Sequence, residues 1–308
     1  MSKFDRIEEL QNILKKDKTN FQVRREFAVL LLDCNYPEEA LKHFLYLAGM
    51  FKDDSSLFYN LGITYEKLKD PDNAIKSYTK AIELAPDEID AYYNLGLVYI
   101  DKKQYETAIE CFEKVLSQDN NDSNSYFSIG ICYFKENKFD SAKYYFKRTI
   151  EINDDDIYAH FYLGNILREQ GDIDGAREEF YKVLDISPDY SWAYFNLGSM
   201  DFEAGFIEGA IDNLKNTLKY NPKDVEAYKI YIKILLKEGD LTEALEIAQQ
   251  GVENCSEEGD LYYILAQVFK KMSNKDEFRN NMNEALLHSK TLSVSPKRIK
   301  KELDISSP

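Results

Sequence analysis

Shifted along itself by 34 residues, this chain matches itself. Phe58-x-x-Leu61-Gly62-x-x-Tyr65 followed by Ala74-x-x-x-Tyr78 returns as Tyr92-x-x-Leu95-Gly96-x-x-Tyr99 followed by Ala108-x-x-x-Phe112. A period of this length is one supersecondary unit that cannot bury its apolar face alone and stacks on copies of itself. Units begun at Phe21, Ser55, Ile89, Ser123, Ile157, Ser191, Val225 and Gly259 keep one register without an insertion. They divide the chain into 21–54, 55–88, 89–122, 123–156, 157–190, 191–224, 225–258 and 259–292, leaving 1–20 before and 293–308 after.

Numbering columns within the unit exposes what is fixed. Column twenty is Ala40, Ala74, Ala108, Ala142, Ala176, Ala210 and Ala244, with Phe278 in the last unit. Column eight is Gly62, Gly96, Gly130, Gly164 and Gly198 in five units, and column seven is always large and apolar, from Phe27 to Leu265. Column twenty-four holds Phe44, Tyr78, Phe112, Phe146, Phe180, Leu214, Ala248 and Met282. Columns four, seven and eleven share one face of a first helix; twenty, twenty-four and twenty-seven share one face of a second. Breakers between them (Lys69-Asp70-Pro71, Glu136-Asn137, Gly171-Asp172, Gly239-Asp240) suit a short helix–helix turn, and Pro86, Pro188 and Pro222 mark unit ends. The small columns eight and twenty predict close approach of the two backbones, with bulky columns filling the space around them.

These columns form the tetratricopeptide repeat pattern, and the chain resembles that family over residues 21–292. The resemblance implies an all-α fold, a right-handed α-solenoid of eight 34-residue helix-turn-helix repeats with terminal capping helices. Phe4, Ile7, Leu10, Ile13 and Leu14 predict an amphipathic capping helix in residues 1–20, the second helix of a half repeat. Ser295-Pro296 reads as a helix start, with Lys297 to Asp304 a short solvating helix and Ser306-Ser307-Pro308 a frayed end. Units seven and eight depart from the pattern through Ile232, Ala248, Gly251, Ala266 and Phe278, and are expected to pack less regularly.

Composition excludes several function classes. A net charge of −16 opposes nucleic acid as a main partner, because such binders neutralise phosphate with a basic face. No apolar run approaches a membrane span, and the charged start MSKFDRIEELQ carries no secretory signal pattern. Cys34, Cys111, Cys132 and Cys255 lie far apart with no CxxC, which predicts free thiols in a reducing cytoplasm.

Nor does the sequence carry an enzyme's signature. His43, His160 and His288 have no partner at helical spacing, and His160 stands in column four, where other units place Phe58, Tyr92, Tyr126 or Tyr194. It reads as a packed substitute for an aromatic ring. No phosphate loop, HExxH or nucleophile elbow occurs. Asp119 to Asp122 lacks the spacing of a calcium loop and, with Asp154-Asp155-Asp156, reads as a solvated turn. No cofactor and no metal are expected.

The family resemblance further implies that first helices line a concave groove through columns two, five, six, nine, twelve and thirteen. Carried onto this sequence, the groove would present Tyr59, Tyr93, Phe127, Ile131, Phe134, Tyr158, Phe161, Trp192, Phe195 and Phe202, an exposed aromatic patch able to seat a partner. A basic end would follow at Lys229, Lys233, Lys237 and Lys270, with Lys271 beside them. The family's carboxylate clamp for chaperone tails is not reproduced: Lys229 fits its first position, but Lys233 and Ile264 stand where asparagines belong. The expected function is a cytoplasmic, non-enzymatic scaffold binding a peptide or helix of another protein, with an acidic stretch toward the lysines. A self-associating assembly factor or a regulatory subunit of a larger complex is the alternative.

Overall fold

The computed structural model describes residues 2–305, so the expectation for residues 306–308 lies outside the described residues. The architecture is all-α, of the α-solenoid class, with eighteen α-helices, one 3-10 turn and no strand among the described residues. Helix α1 (Lys3–Lys16) precedes eight hairpins: α2 (Phe21–Asp33) with α3 (Pro37–Met50), α4 (Ser55–Lys67) with α5 (Pro71–Leu84), α6 (Ile89–Asp101) with α7 (Tyr105–Gln118), and α8 (Ser123–Lys135) with α9 (Phe139–Ile152). Next come α10 (Ile157–Glu169) with α11 (Ile173–Ile186), α12 (Ser191–Ala204) with α13 (Ile207–Tyr220), α14 (Val225–Glu238) with α15 (Leu241–Asn254), and α16 (Gly259–Lys271) with α17 (Lys275–Leu287). The 3-10 turn Ser289–Thr291 leads to α18 (Pro296–Ile305). Two compact units divide the chain, residues 1–159 and 160–308, and in each of them helices pack on their neighbours in chain order.

Every hairpin turns the same way. The residue in column fifteen is left-handed in all eight: Asn35, Lys69, Lys103, Asn137 and Ser273 at φ 57–62°, and Gly171, Gly205 and Gly239 at φ 81–85°. The next N–H then reaches back to the column-eleven carbonyl, as from Asp70 to Tyr65 (2.9 Å) or Phe206 to Asp201 (2.8 Å). This closure satisfies orphan carbonyls at the end of the first helix. Five second helices start on Pro37 or Pro71, or under side-chain caps from Asp70, Asp172, Asp240 and Asn274. The acidic unit junctions serve the first helices likewise: Asp122 accepts from the Ser125 N–H (2.6 Å) and Asp156 from the Ala159 N–H (2.8 Å). A carboxylate there also complements the positive end of the helix.

Four of the column-eight glycines make room for a ring, while Gly198 faces Leu214 and the Ala210 carbonyl of the opposing helix. A Cβ would meet the Phe112 ring at 2.7 Å from Gly96, the Phe146 ring at 2.7 Å from Gly130 and the Phe180 ring at 2.9 Å from Gly164; at Gly62 it would overlap the Tyr78 ring. The column-twenty-four aromatic of the second helix therefore lies directly on the first helix's backbone, fully buried at Tyr78, Phe112, Phe146 and Phe180.

Units seven and eight pack fully, contrary to the expectation of irregularity. In unit seven the large and small partners have exchanged helices: Ile232 fills column eight and Ala248 column twenty-four, both completely buried. Gly251 admits the Tyr228 ring, 3.3 Å from where its Cβ would stand, and the Asn254 amide donates to the Tyr228 hydroxyl (2.9 Å). In unit eight Ala266, Phe278 and Met282 are buried in the same cluster. Conserving total volume while moving it between helices keeps the interior dense.

Both ends of the array are covered. Leu10 and Leu14 of α1 are buried against α2, whereas Phe4 is exposed. Helix α18 does more than solvate the end: Ile299 is fully buried in the cluster of units six to eight, and Leu303 packs beside it. Its connector is latched to the start of α16, where the Gly259 N–H donates to Thr291 Oγ1 (2.7 Å) and Asp260 accepts from the Ser293 N–H (2.7 Å).

Candidate functional site

Column five is where the first helices were expected to show aromatic rings, and the hairpin register gives those rings a second task. Columns five and twenty-four stand nineteen residues apart and meet inside each hairpin. Tyr59 packs on Tyr78 (centroids 5.9 Å), Tyr93 on Phe112 (5.5 Å), Phe127 on Phe146 (5.6 Å) and Phe161 on Phe180 (6.0 Å). All four column-five rings are half-buried. They brace the hairpin with one side and leave the other accessible.

In the first compact unit, Tyr59 accepts a hydrogen bond from Asn94 of the next hairpin (3.1 Å). Phe134 lies against Phe139 (5.7 Å) and Ile131 is half-buried. Phe127 touches Tyr158 (6.4 Å), which at 58 % exposure is the most open of the predicted rings in this unit.

In the second unit, Phe161 also meets Tyr190 edge-on (5.5 Å). Phe195 and Phe202 are partly buried against the cluster built around Tyr228 and Tyr231. Trp192 alone of the predicted rings here is exposed, at 53 %. The predicted patch is thus two open rings, Tyr158 and Trp192, with the others half-buried, and not a continuous exposed apolar sheet. Arg168 adds a polar element that was not among the predicted site residues. Its guanidinium donates to Asn196 (3.1 Å), Ser199 (3.1 Å) and Glu203 (2.6 Å), tying α10 to α12. Column twelve held the signal, since it places Arg168 where other units carry Phe134 or Phe202.

The four lysines divide by partner. Lys229 sits between Glu226 (2.7 Å) and Asp260 (3.2 Å); burial pulls its pKa down, but the two carboxylates outweigh it and hold the ammonium above the ordinary lysine range. Lys270 donates to Glu302 of α18 (3.3 Å) and lies over the Phe278 ring (5.5 Å). Glu302 also accepts from Tyr263 (3.3 Å) and Gln267 (3.2 Å), so columns five, nine and twelve of unit eight are engaged by the chain's own carboxylate. Lys233 is exposed, its ammonium 5.2 Å from the Phe202 ring, and Lys237 is exposed beyond it. These two are accessible cations on α14, Lys233 beside the Phe202 end of α12.

The histidines have partners across the hairpin rather than along a helix. His160 Nδ1 lies 2.5 Å from Glu179, both buried, again nineteen residues apart. Burial pushes the Glu179 carboxyl up, yet the hydrogen bonds from His160 and Lys182 bring it below the usual carboxylate range. His43 meets Arg24 at the same spacing (3.0 Å). Burial pushes the Cys132 thiol up to about 12 and the Cys111 thiol up to about 11, so neither is a poised nucleophile. Among the described residues no three His, Cys, Asp or Glu side chains gather as a metal site, and no helix is long and apolar enough to cross a membrane.

Comparison with known families agrees with the hairpin geometry. Three tetratricopeptide repeat profiles match residues 55–88, 77–110 and 195–258. The chain belongs to the tetratricopeptide repeat family. A profile for subunit 3 of the anaphase-promoting complex, or cyclosome, matches residues 101–183 of this repeat chain. A comparison with curated protein sequences gives no match. Among solved structures, MamA from Desulfovibrio magneticus RS-1 is 25 % identical, with a TM-score of 0.53 over 56 % of this chain and 97 % of its own. YrrB, described as a tetratricopeptide repeat protein with an unusual peptide-binding site, is 27 % identical, with a TM-score of 0.50 over 60 % of this chain and 95 % of its own. Cut9, from a hetero-tetramer of the anaphase-promoting complex with Hcn1, shares the fold at 15 % identity and a TM-score of 0.56, over 86 % of this chain and 52 % of its own. Scaffolding of protein interactions is the common role of this fold, and its families are generally non-enzymatic.

Proposed function

We propose that this chain is a non-enzymatic cytoplasmic scaffold that holds an extended or helical segment of a partner protein on the first helices of its hairpins. The 34-residue units serve as its binding modules. Residues 160–308 carry the principal surface: Trp192, supported by Phe161, Phe195 and Phe202, takes an apolar or aromatic anchor, and Lys233 and Lys237 take acidic residues of the same segment. Tyr59, Tyr93, Phe127, Ile131, Phe134 and Tyr158 offer a second stretch in residues 1–159.

One observation carries the reading. An indole standing 53 % exposed is poorly explained by folding alone, and tryptophan is the residue most enriched at binding hot spots. The half-buried rings around it supply a rigid floor, which lowers the ordering cost of binding. Exposed Lys233 and Lys237 give a local attraction for an acidic partner segment, while the net charge of −16 opposes a long nucleic acid. The peptide-binding site ascribed to YrrB supports the same use of this fold. Lys229 and Lys270, already paired to carboxylates, take the lesser part.

Affinity capture from native lysate tests this, with wild type beside Trp192→Ala and beside Lys233→Glu with Lys237→Glu. A partner retained by wild type and lost from both variants supports the reading. Equal capture by all three removes the site from this surface.

A further inference from the structure

A different surface lies on α3, on the face turned away from its own hairpin. That helix buries Ala40, Phe44 and Leu47, and on the opposite side exposes Leu45, Tyr46 and Met50, with Phe51 following at its end. Each of these four is between 37 % and 58 % exposed. In units two to four the equivalent positions are polar or charged: Leu45, Tyr46 and Gly49 become Thr79, Lys80 and Glu83, then Glu113, Lys114 and Ser117, then Lys147, Arg148 and Glu151. The hairpin therefore forms in units two to four without apolar residues at these three positions, which unit one fills with Leu45, Tyr46 and Gly49.

Gly49 points the same way. A Cβ there would meet nothing within 4 Å, whereas Gly62, Gly96, Gly130 and Gly164 in column eight each hold open a space for a ring. A glycine inside an exposed helical turn lowers helix propensity and gains nothing within this chain. It does permit another helix backbone to come close. Beside it Tyr46 is held in place, with the Arg24 guanidinium 4.2 Å over its ring and Phe21 stacked 6.3 Å away, and Phe21 meets Phe51 edge-on at 5.2 Å. The surface is thus ordered before anything binds it.

Charge at its two ends selects the occupant. Lys42 lies on the same face as Leu45, Tyr46 and Gly49 by helical spacing, at the amino-terminal end; Asp53 is exposed just past the carboxy-terminal end. When two copies of this helix cross antiparallel about a two-fold axis near Gly49, Lys42 of each copy meets Asp53 of the other. An isologous contact requires that kind of self-complementarity. We infer that the outward face of α3 is a homodimer contact, in which two copies of this chain pack α3 against α3 across Gly49, independently of the Trp192 surface. The four apolar side chains supply roughly half of the ~800 Å² per partner typical of a stable interface, so the dimer is weak and concentration-dependent.

Sedimentation velocity of the full chain over a wide concentration series tests the contact, with thermal midpoints checking that each variant folds. Wild type is expected to pass reversibly from monomer to dimer. Lys42→Asp or Asp53→Lys alone should weaken association about tenfold, because the axis repeats each lost pair, and the double variant should restore it. Gly49→Ala should raise the thermal midpoint while weakening association, whereas Trp192→Ala should leave association unchanged. A wild-type chain that stays monomeric throughout overturns the inference and leaves the face to a different protein. Failure of the double charge reversal to recover the dimer, or unaltered association of Gly49→Ala, overturns it equally.

Discussion

A methyl group added at Gly130 would stand 2.7 Å from the buried Phe146 ring, with no slack in the hairpin to absorb it. Gly130→Ala is therefore expected to destabilise the protein by about 1–3 kcal/mol, the usual cost of overpacking a dense core. A lowered urea midpoint checks this; an unchanged one would mean that the ring moves freely. At Lys103 the sign reverses. Its left-handed backbone (φ 59°) costs a side-chain-bearing residue about 1–2 kcal/mol, while glycine loses about 0.5–1 kcal/mol of extra entropy on folding. Lys103→Gly should thus stabilise by about 0.5–1 kcal/mol in the same urea experiment. His160→Phe restores the aromatic of its column but leaves buried Glu179 with Lys182 alone. The lowered Glu179 pKa means that its stabilising contribution is present above the ordinary carboxylate range and fades as pH falls through the lowered value. Losing the partner should cost about 1–3 kcal/mol near neutrality and move the acid-side fall of the thermal midpoint to higher pH.

At the scale of the element, the helical hairpin was legible in the sequence because its packing columns repeat in residue type. The turn was less so. Column fifteen is left-handed in every unit, yet it holds Asn, Lys, Ser and Gly, and lysine carries no turn signal. Backbone conformation there is imposed by the hydrogen bond closing across the turn, not by the side chain. Units seven and eight looked irregular for a related reason: Ile232 and Ala248 each break a column, and only their meeting in space shows that the volumes compensate. The candidate site was half legible. Column five gave the rings, but their nineteen-residue contact with column twenty-four, which turns most of them into half-buried braces, depends on the hairpin register. The terminal helix was read as solvating, because a lone Ile299 among lysines does not announce that it fills the end of a core. Ile299→Ala should undock α18, with faster amide exchange across residues 296–305. Exchange in residues 1–159 should stay unchanged, since neighbouring repeats share stability only locally.

For the molecule as a whole, charge and repetition together define what the chain offers. Excess acid opposes nucleic acid and like-charged copies as neighbours, which makes the exceptions informative: an open indole, two exposed lysines on α14 and the apolar side chains exposed on α3 of unit one. The most direct test of the scaffold reading is the dissociation constant of peptides selected on the wild-type protein from a displayed random library. It would be measured again with Trp192→Ala and with Tyr181→Ala, an exposed tyrosine on a second helix. The expected result is a loss of about 2 kcal/mol or more, roughly thirtyfold in affinity, at Trp192→Ala and none at Tyr181→Ala. Peptides that bind both variants as tightly as wild type, or that lose affinity only at Tyr181→Ala, would contradict a binding surface on the first helices.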